Sequence, residues 1–91
     1  MKVRWSPAAA TNFAEIIQHI REQNRATALR VARSIYETVR QLKKFPNRGR
    51  PGRMKGTREL VLPSLPFIVV YRVNENTIEI ARVVHGAQRW P

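Results

Sequence analysis

Two side chains near the end of the sequence, Arg82 and His85, have types and positions that could carry out phosphate or proton-transfer chemistry. Strict alternation in the strand predicted there puts Arg82 on an apolar face. The other residues of that face are Ile78, Ile80 and Val84. Such an arginine either pairs with an acid at the edge of the core or faces a ligand groove, unless a strand bulge moves it. His85 ends the strand, where its reference pKa of about 6.5 suits a general acid or base, although a structural hydrogen bond is the more frequent role.

A strongly basic segment precedes the later strands. The stretch FPNRGRPGRMKG contains three glycines and two prolines, which predicts a loop with no core of its own. Residues 43–58 include no acid. The cations that we expect to contact a nucleic-acid backbone are Lys43, Lys44, Arg48, Arg50, Arg53 and Lys55. Disordered tails share this composition, but the strands that follow favour an ordered loop with a function.

The sequence is rich in cations but poor in groups for acid–base catalysis. Metal-free cleavage of RNA needs a base for the 2′-hydroxyl, an acid for the leaving oxygen and cations that stabilise the phosphorane. There is no Asp and no Cys, and the two histidines fall on different predicted elements. We therefore expect no metal site and no cofactor, and an enzyme and a protein without chemistry of its own both remain open.

The charge of the chain indicates an anionic partner. The sequence of 91 residues has 17 Lys and Arg against six acids, a net charge of +11. Arginine supplies most of the positive charge, and its planar fork of donors suits phosphate and carboxylate groups. The expected partner is nucleic acid, an acidic protein, or both.

The length and the lack of cysteine indicate one small domain, residues 1–91, in a reducing compartment. The opening MKVRWSPAAA is too polar for a signal peptide, and no apolar run approaches the roughly 18 residues that span a bilayer. We expect a cytoplasmic protein without membrane contact.

The predicted elements form an α+β domain of order β-α-α-β-β-β. A strand over Lys2–Trp5 leads through the cap signal Ser6-Pro7 into a helix that ends near Gln23. Asn24 caps a second helix that reaches Phe45-Pro46, and the short link makes an antiparallel helical hairpin. Strands are predicted over Arg58–Leu62, Phe67–Val73 and Thr77–His85, so that the hairpin packs on a small antiparallel sheet. The tail after Gly86 contains Trp90, which favours docking on the core over stacking on a base.

Four stretches together resemble the RelE/ParE superfamily of toxins along nearly the whole chain. They are VRWSPAA, LKKFPNRGRPGR, GTRELVLPSLPFIVVYRV and IEIARVVHGAQRWP. The resemblance implies the toxin of a type II toxin–antitoxin module, bound in a heteromeric complex by a cognate antitoxin. It also implies a RelE/ParE-like fold and aligns Arg58 with a phosphate-stabilising arginine of the RelE-like nucleases. Those nucleases often place a tyrosine or lysine nearby, whereas here Tyr71 lies inside a strand.

The resemblance leaves two targets. In the first hypothesis the toxin cleaves messenger RNA in the ribosome, with Arg58 and Arg82 on the phosphate and His85 moving the proton. In the alternative it inhibits DNA gyrase without chemistry of its own, through the helical hairpin or the tail. A plain nucleic-acid-binding module is a third possibility, but the sequence lacks a recognisable groove-reading motif. In each toxin hypothesis an acidic, partly disordered antitoxin folds onto the basic surface.

Overall fold

The computed structural model describes residues 1–90, so Pro91, the last residue of the predicted tail, lies outside the described residues. Within them the chain forms β1 (Lys2–Trp5), α1 (Pro7–Gln23), α2 (Arg25–Gln41), β2 (Arg50–Pro51), β3 (Arg58–Val61), β4 (Phe67–Asn74) and β5 (Thr77–His85). The α+β class and the order of the predicted elements are confirmed. The additional element is β2, which is too short to leave a strand pattern in the sequence.

The two helices follow from their caps. The Ser6 hydroxyl accepts a hydrogen bond from the Ala9 N–H at 3.0 Å, and Pro7 begins α1. Asn24 serves both helices, since its N–H donates to the Ile20 carbonyl and its side chain accepts from the Thr27 N–H at 3.0 Å. A single extended residue therefore joins α1 to α2 and turns the chain back on itself. No helix of residues 1–90 is long and apolar enough to cross a membrane.

The second helix is shorter than predicted. It ends at Gln41 rather than near Phe45, because the next amides bond to carbonyls three residues back: Leu42 to Val39, Lys43 to Arg40 and Lys44 to Gln41. This tightening of the last turn is common at helix ends. It leaves residues 42–48 as a hydrogen-bonded turn at the end of α2.

The sheet has the order β1-β5-β4-β3-β2. The predicted antiparallel meander of β3, β4 and β5 is confirmed, and β2 pairs antiparallel with β3 at the outer edge. The prediction of a wholly antiparallel sheet is wrong, because β1 pairs parallel with β5, from Lys2 opposite Thr77 to Trp5 opposite Ile80. Hairpin rules apply to strands adjacent in sequence, and they do not predict where the first strand meets the last.

Apolar side chains pack on both faces of the sheet. On one face α2 contributes Ile35, Val39 and Leu42 to a cluster with Tyr71 and Ile80. On the other face the C-terminal tail covers a smaller cluster of Ile68, Val70, Val84 and Trp90. The helical hairpin and the tail therefore cover opposite sides of β4, and the predicted docking of Trp90 on the core is confirmed, with 5% of the residue exposed.

Candidate functional site

The basic segment after α2 is ordered by two side chains from the sheet. The buried Tyr71 hydroxyl accepts a hydrogen bond from the Gly49 N–H and donates one to the Pro46 carbonyl, both at 2.8 Å. Arg58 donates to the carbonyls of Gly49 at 2.7 Å and Asn47 at 3.4 Å. Burial raises the pKa of the Tyr71 phenol above its ordinary value, which keeps it a neutral donor. The segment is thus an ordered loop, as predicted, and not a disordered tail.

Glu59 holds two of the predicted nucleic-acid contacts. Its carboxylate is 2% exposed and accepts hydrogen bonds from the Arg50 guanidinium at 3.2 Å and from the Arg53 backbone N–H at 2.8 Å. The Arg53 Nε lies 3.9 Å from the same carboxylate. One buried negative charge is therefore shared by Arg50 and Arg53, which makes these two arginines supports of the loop. Glu59 is not among the site residues that the sequence predicts, although it is the first acid after a long run of cations and lies on a strand.

Arg53 also connects the loop to the C-terminal tail. Its guanidinium carbon lies 5.0 Å from the centroid of the Trp90 ring, within the range of a cation–π contact. The same guanidinium donates to the Trp90 carbonyl at 3.3 Å. The loop, the buried Glu59 and the docked tail thus form one connected unit at the β2 side of the sheet.

The other four predicted cations remain available. Lys43, Lys44, Arg48 and Lys55 are exposed and form no ion pair with any residue of 1–90. The Arg48 guanidinium donates only to the neutral Gln41 side chain, at 2.8 Å. The structure therefore divides the six predicted contacts into a paired set of two and an unpaired set of four.

Arg82 does not lie where strict alternation predicts. The register between β4 and β5 shifts between Val70 and Tyr71, because Val70 pairs with Arg82 but Tyr71 pairs with Ile80. This bulge at Ala81 reverses the alternation, so Ile80 belongs to the helix-side cluster and Val84 to the opposite one. The prediction of a shared face for Ile78, Ile80, Arg82 and Val84 is wrong for that reason.

The partner of Arg82 is an amide and not an acid. Its Nε donates to the Asn12 side-chain oxygen at 2.9 Å, and the same oxygen accepts the Val83 backbone N–H at 3.1 Å. Asn12 lies on α1, so the contact holds this helix to the part of β5 that follows its pairing with β1. Nothing in the sequence signals this use of Asn12, since it depends on α1 crossing the part of β5 that β1 leaves unpaired.

His85 is exposed at the end of β5. Its Nδ1 accepts a hydrogen bond from the Ala87 N–H at 3.1 Å, and its ring stands edge-on to Phe67, with centroids 5.7 Å apart. An accepting Nδ1 places the proton of the neutral ring on Nε2. These contacts agree with a histidine that closes the turn after the strand.

The three predicted catalytic groups are held at separate places. Arg58 lies on β3 and Arg82 on β5, with β4 between them, a backbone separation of about 10 Å across the sheet. Arg58 turns to the loop carbonyls near β2, whereas Arg82 turns to α1, which packs on β5 two strands away. His85 pairs with Phe67 farther along β5. No contact among residues 1–90 brings these three side chains together.

An aromatic groove lies beside α2 and β1. The rings of Trp5, Phe13 and Tyr36 pack against one another with centroid distances of 5.0–5.6 Å, and Tyr36 is 55% exposed. The open groove next to them has a volume of about 650 Å³ and is also lined by Arg33, Lys43 and the Arg40–Glu37 ion pair. An exposed aromatic beside several cations suits an acidic segment with apolar side chains. The feature of the sequence that could indicate this groove is Tyr36, an aromatic residue outside the apolar stripe of α2.

Comparison with known proteins gives consistent matches over nearly the whole chain. Residues 3–90 match the family model described as the ParE toxin of the type II toxin-antitoxin system parDE. A protein of Sinorhizobium fredii (strain NBRC 101917 / NGR234) named "Putative toxin Y4kP" is 40% identical over 90 residues, which cover 99% of this chain and 93% of that protein. A solved structure titled "Chromosomal ParDE TA system from P. aeruginosa" is similar with a TM-score of 0.85 and 31% identity, over 93% of this chain and 95% of that one.

Proposed function

The chain belongs to the ParE toxin family of type II toxin–antitoxin systems, and we propose that it arrests growth by inhibiting DNA gyrase without chemistry of its own. The observation that carries the choice of target is the separation of Arg58, Arg82 and His85, each of which already has a structural contact. A protein that inhibits by binding needs no acid–base set. The gyrase hypothesis therefore accounts for the missing groups, which the hypothesis of messenger cleavage leaves unexplained.

The engagement of the two arginines supports the same choice. Stabilising a phosphorane requires donors that are free to point at the phosphate. Arg58 donates to two backbone carbonyls. Arg82 donates to the Asn12 amide oxygen, which also accepts the Val83 N–H of β5. Each guanidinium is thereby turned toward the protein, Arg58 through Nη1 and Arg82 through Nε, and moving both to one phosphate would loosen the loop and α1.

Controlled expression in bacterial cells tests the proposed target. We expect growth arrest together with cleaved plasmid DNA, and restored growth when the neighbouring antitoxin reading frame is expressed with the toxin. Growth arrest with intact plasmid and truncated messages would contradict the proposal.

As the toxin of a type II system, the chain has a cognate antitoxin. We infer that this partner is acidic, meets the toxin in the cytoplasm and places an amphipathic segment in the aromatic groove. Support comes from the net charge of +11 and from the position of Tyr36, exposed between Arg33 and Arg40. Opposite charges would speed the encounter, and the apolar groove would hold the complex.

The groove assignment predicts a specific loss of antitoxin affinity. Tyr36→Ala should raise the Kd for the antitoxin about tenfold or more, because a central aromatic anchor is lost. Val61→Ala is the matched control, since Val61 is similarly exposed but lies on β3 outside the groove, and its Kd should be unchanged. The association rate should fall about tenfold between low and high salt. Equal affinities for the two variants would overturn the groove assignment, and a rate independent of salt would overturn the electrostatic part.

A further inference from the structure

Among the exposed large apolar residues of 1–90, Phe45 has the highest exposure, and it lies among unpaired cations. It is 58% exposed, and its neighbours Lys43, Lys44 and Arg48 are exposed cations with no ion pair in residues 1–90. We call residues 43–48 the basic knuckle. An aromatic ring among unpaired cations matches the chemistry of a nucleic-acid strand, which offers flat bases between phosphates.

The backbone of the basic knuckle is held in place. The Phe45 N–H donates to the Gln41 carbonyl and the Arg48 N–H to the Phe45 carbonyl, both at 3.1 Å. From the sheet, Tyr71 donates to the Pro46 carbonyl at 2.8 Å. Phe45 therefore lies on an ordered turn, so binding a ligand there costs little conformational entropy of the backbone.

Phe45 separates two open concavities. One, of about 590 Å³, is lined by Phe45, Pro46, Asn47 and Arg48. The other, of about 440 Å³, is lined by Phe45 together with Lys43, Lys44, Gln41, Arg40 and Glu37. Glu37 is paired with Arg40 at 3.2 Å, so the remaining charge of the second concavity is positive. Each side of the ring thus has a cation where the phosphate next to a stacked base would lie.

We propose that the basic knuckle binds single-stranded DNA, with one base stacked on Phe45 and the flanking phosphates near Lys43, Lys44 and Arg48. A single strand fits better than a duplex, because its bases have free faces for stacking. The choice of DNA over RNA rests on the proposed function, since gyrase exposes cleaved DNA to a bound toxin. The basic knuckle adjoins the aromatic groove at Lys43, which lines both, but the aromatic residues differ, with Phe45 for DNA and Tyr36 for the antitoxin.

Binding of a fluorescent single-stranded DNA oligonucleotide to the purified toxin tests this proposal without gyrase. Phe45→Ala should weaken binding about tenfold, which is within the range for loss of one stacked base. Phe45→Trp should restore it and Phe45→Leu should not, since leucine keeps the apolar surface but cannot stack. Leu29→Ala, which removes an exposed large apolar side chain of α2 outside the basic knuckle, should bind as the wild type does.

The dependence on salt measures the phosphate contacts. With three cations engaged, log K should fall with log salt with a slope of about −2 for a single strand. Replacing any one of the three by Gln should reduce the slope by about 0.7, whereas Arg30→Gln, on the exposed surface of α2, should leave it unchanged. A preference for RNA of the same sequence, or wild-type binding by Phe45→Leu, would overturn the proposal, the latter by indicating an apolar protein contact.

Failure of this inference and failure of the proposed function have different signatures. If Phe45→Ala loses oligonucleotide binding but the wild-type toxin does not inhibit purified gyrase, DNA binding by the basic knuckle is supported and gyrase is not the target. If the wild-type toxin inhibits gyrase but binds no oligonucleotide, gyrase is the target and the proposed DNA binding by the basic knuckle is wrong.

Discussion

Glu59→Gln is expected to lower the free energy of unfolding by about 2 kcal/mol. The Glu59 carboxylate is almost fully buried and accepts hydrogen bonds from Arg50 and from the Arg53 backbone. A hydrogen bond to a charged group contributes about 1.5–3 kcal/mol, and the glutamine oxygen can retain one of the two bonds. Arg50 and Arg53 are about half exposed, so water can solvate their charges in the variant. Urea denaturation measures the change, with the midpoint shifted and the slope unaltered.

The matched control is Glu37→Gln. Glu37 also forms an arginine pair, with Arg40, but both side chains are more than half exposed. Ion pairs between exposed side chains contribute little to stability, so this variant should be nearly as stable as the wild type. Both substitutions remove one negative charge from a net charge of +11, so each has +12. Equal loss of stability in the two variants would indicate that total charge matters and that the buried contact does not.

Tyr71→Phe is expected to cost about 2 kcal/mol. The ring keeps its place in the core, but the substitution deletes the acceptor of the Gly49 N–H and the donor to the Pro46 carbonyl. An amide left buried without a partner costs about 1–3 kcal/mol. Gly49 packs closely on the ring of residue 71, because a Cβ at position 49 would lie 2.8 Å from the Tyr71 ring. No side chain at position 49 can therefore fill the space that the hydroxyl leaves. The melting temperature should fall by about 10 °C.

The control for this prediction is Tyr36→Phe, which removes an exposed hydroxyl with no hydrogen bond to residues 1–90, and it should change stability by less than about 0.5 kcal/mol. Alkaline pH gives a second readout. Because burial raises the pKa of Tyr71, its contribution to stability is complete below the ordinary tyrosine pKa of about 10 and is lost as the pH rises through the raised value. Wild type should lose more stability than Tyr71→Phe above that pH, and parallel curves would contradict the assignment.

Most of the fold could be predicted because its signals are local. The caps Ser6 and Asn24 mark the helix starts, and Pro63 to Pro66 and Asn74 to Asn76 mark the two hairpins. The parallel pairing of β1 with β5 could not be predicted, since it joins Val3 to Ile78 across almost the whole chain. The bulge at Ala81 depends on the facing strand, so alternation along β5 alone misplaced Arg82.

The candidate site was predicted less completely than the fold. Composition identified the basic loop, and the structure confirms that it is ordered, but composition could not separate the paired Arg50 and Arg53 from the unpaired Lys44 and Arg48. That separation depends on Glu59 being buried, which is a property of the packed sheet. Phe45 was assigned only to the end of a helix, because exposure of an aromatic residue cannot be read from its neighbours in sequence.

Purified components allow gyrase and the ribosome to be compared directly as targets of the toxin. The wild-type toxin is incubated with programmed ribosomes and, separately, with gyrase and supercoiled plasmid, beside Arg82→Ala and His85→Ala. Circular dichroism first establishes that both variants are folded, since Arg82 also holds Asn12. If the toxin inhibits gyrase, the message stays intact and cleaved plasmid accumulates, with the two folded variants as effective as the wild type. Message that is cut by the wild type and spared by both folded variants would contradict it and establish a nuclease.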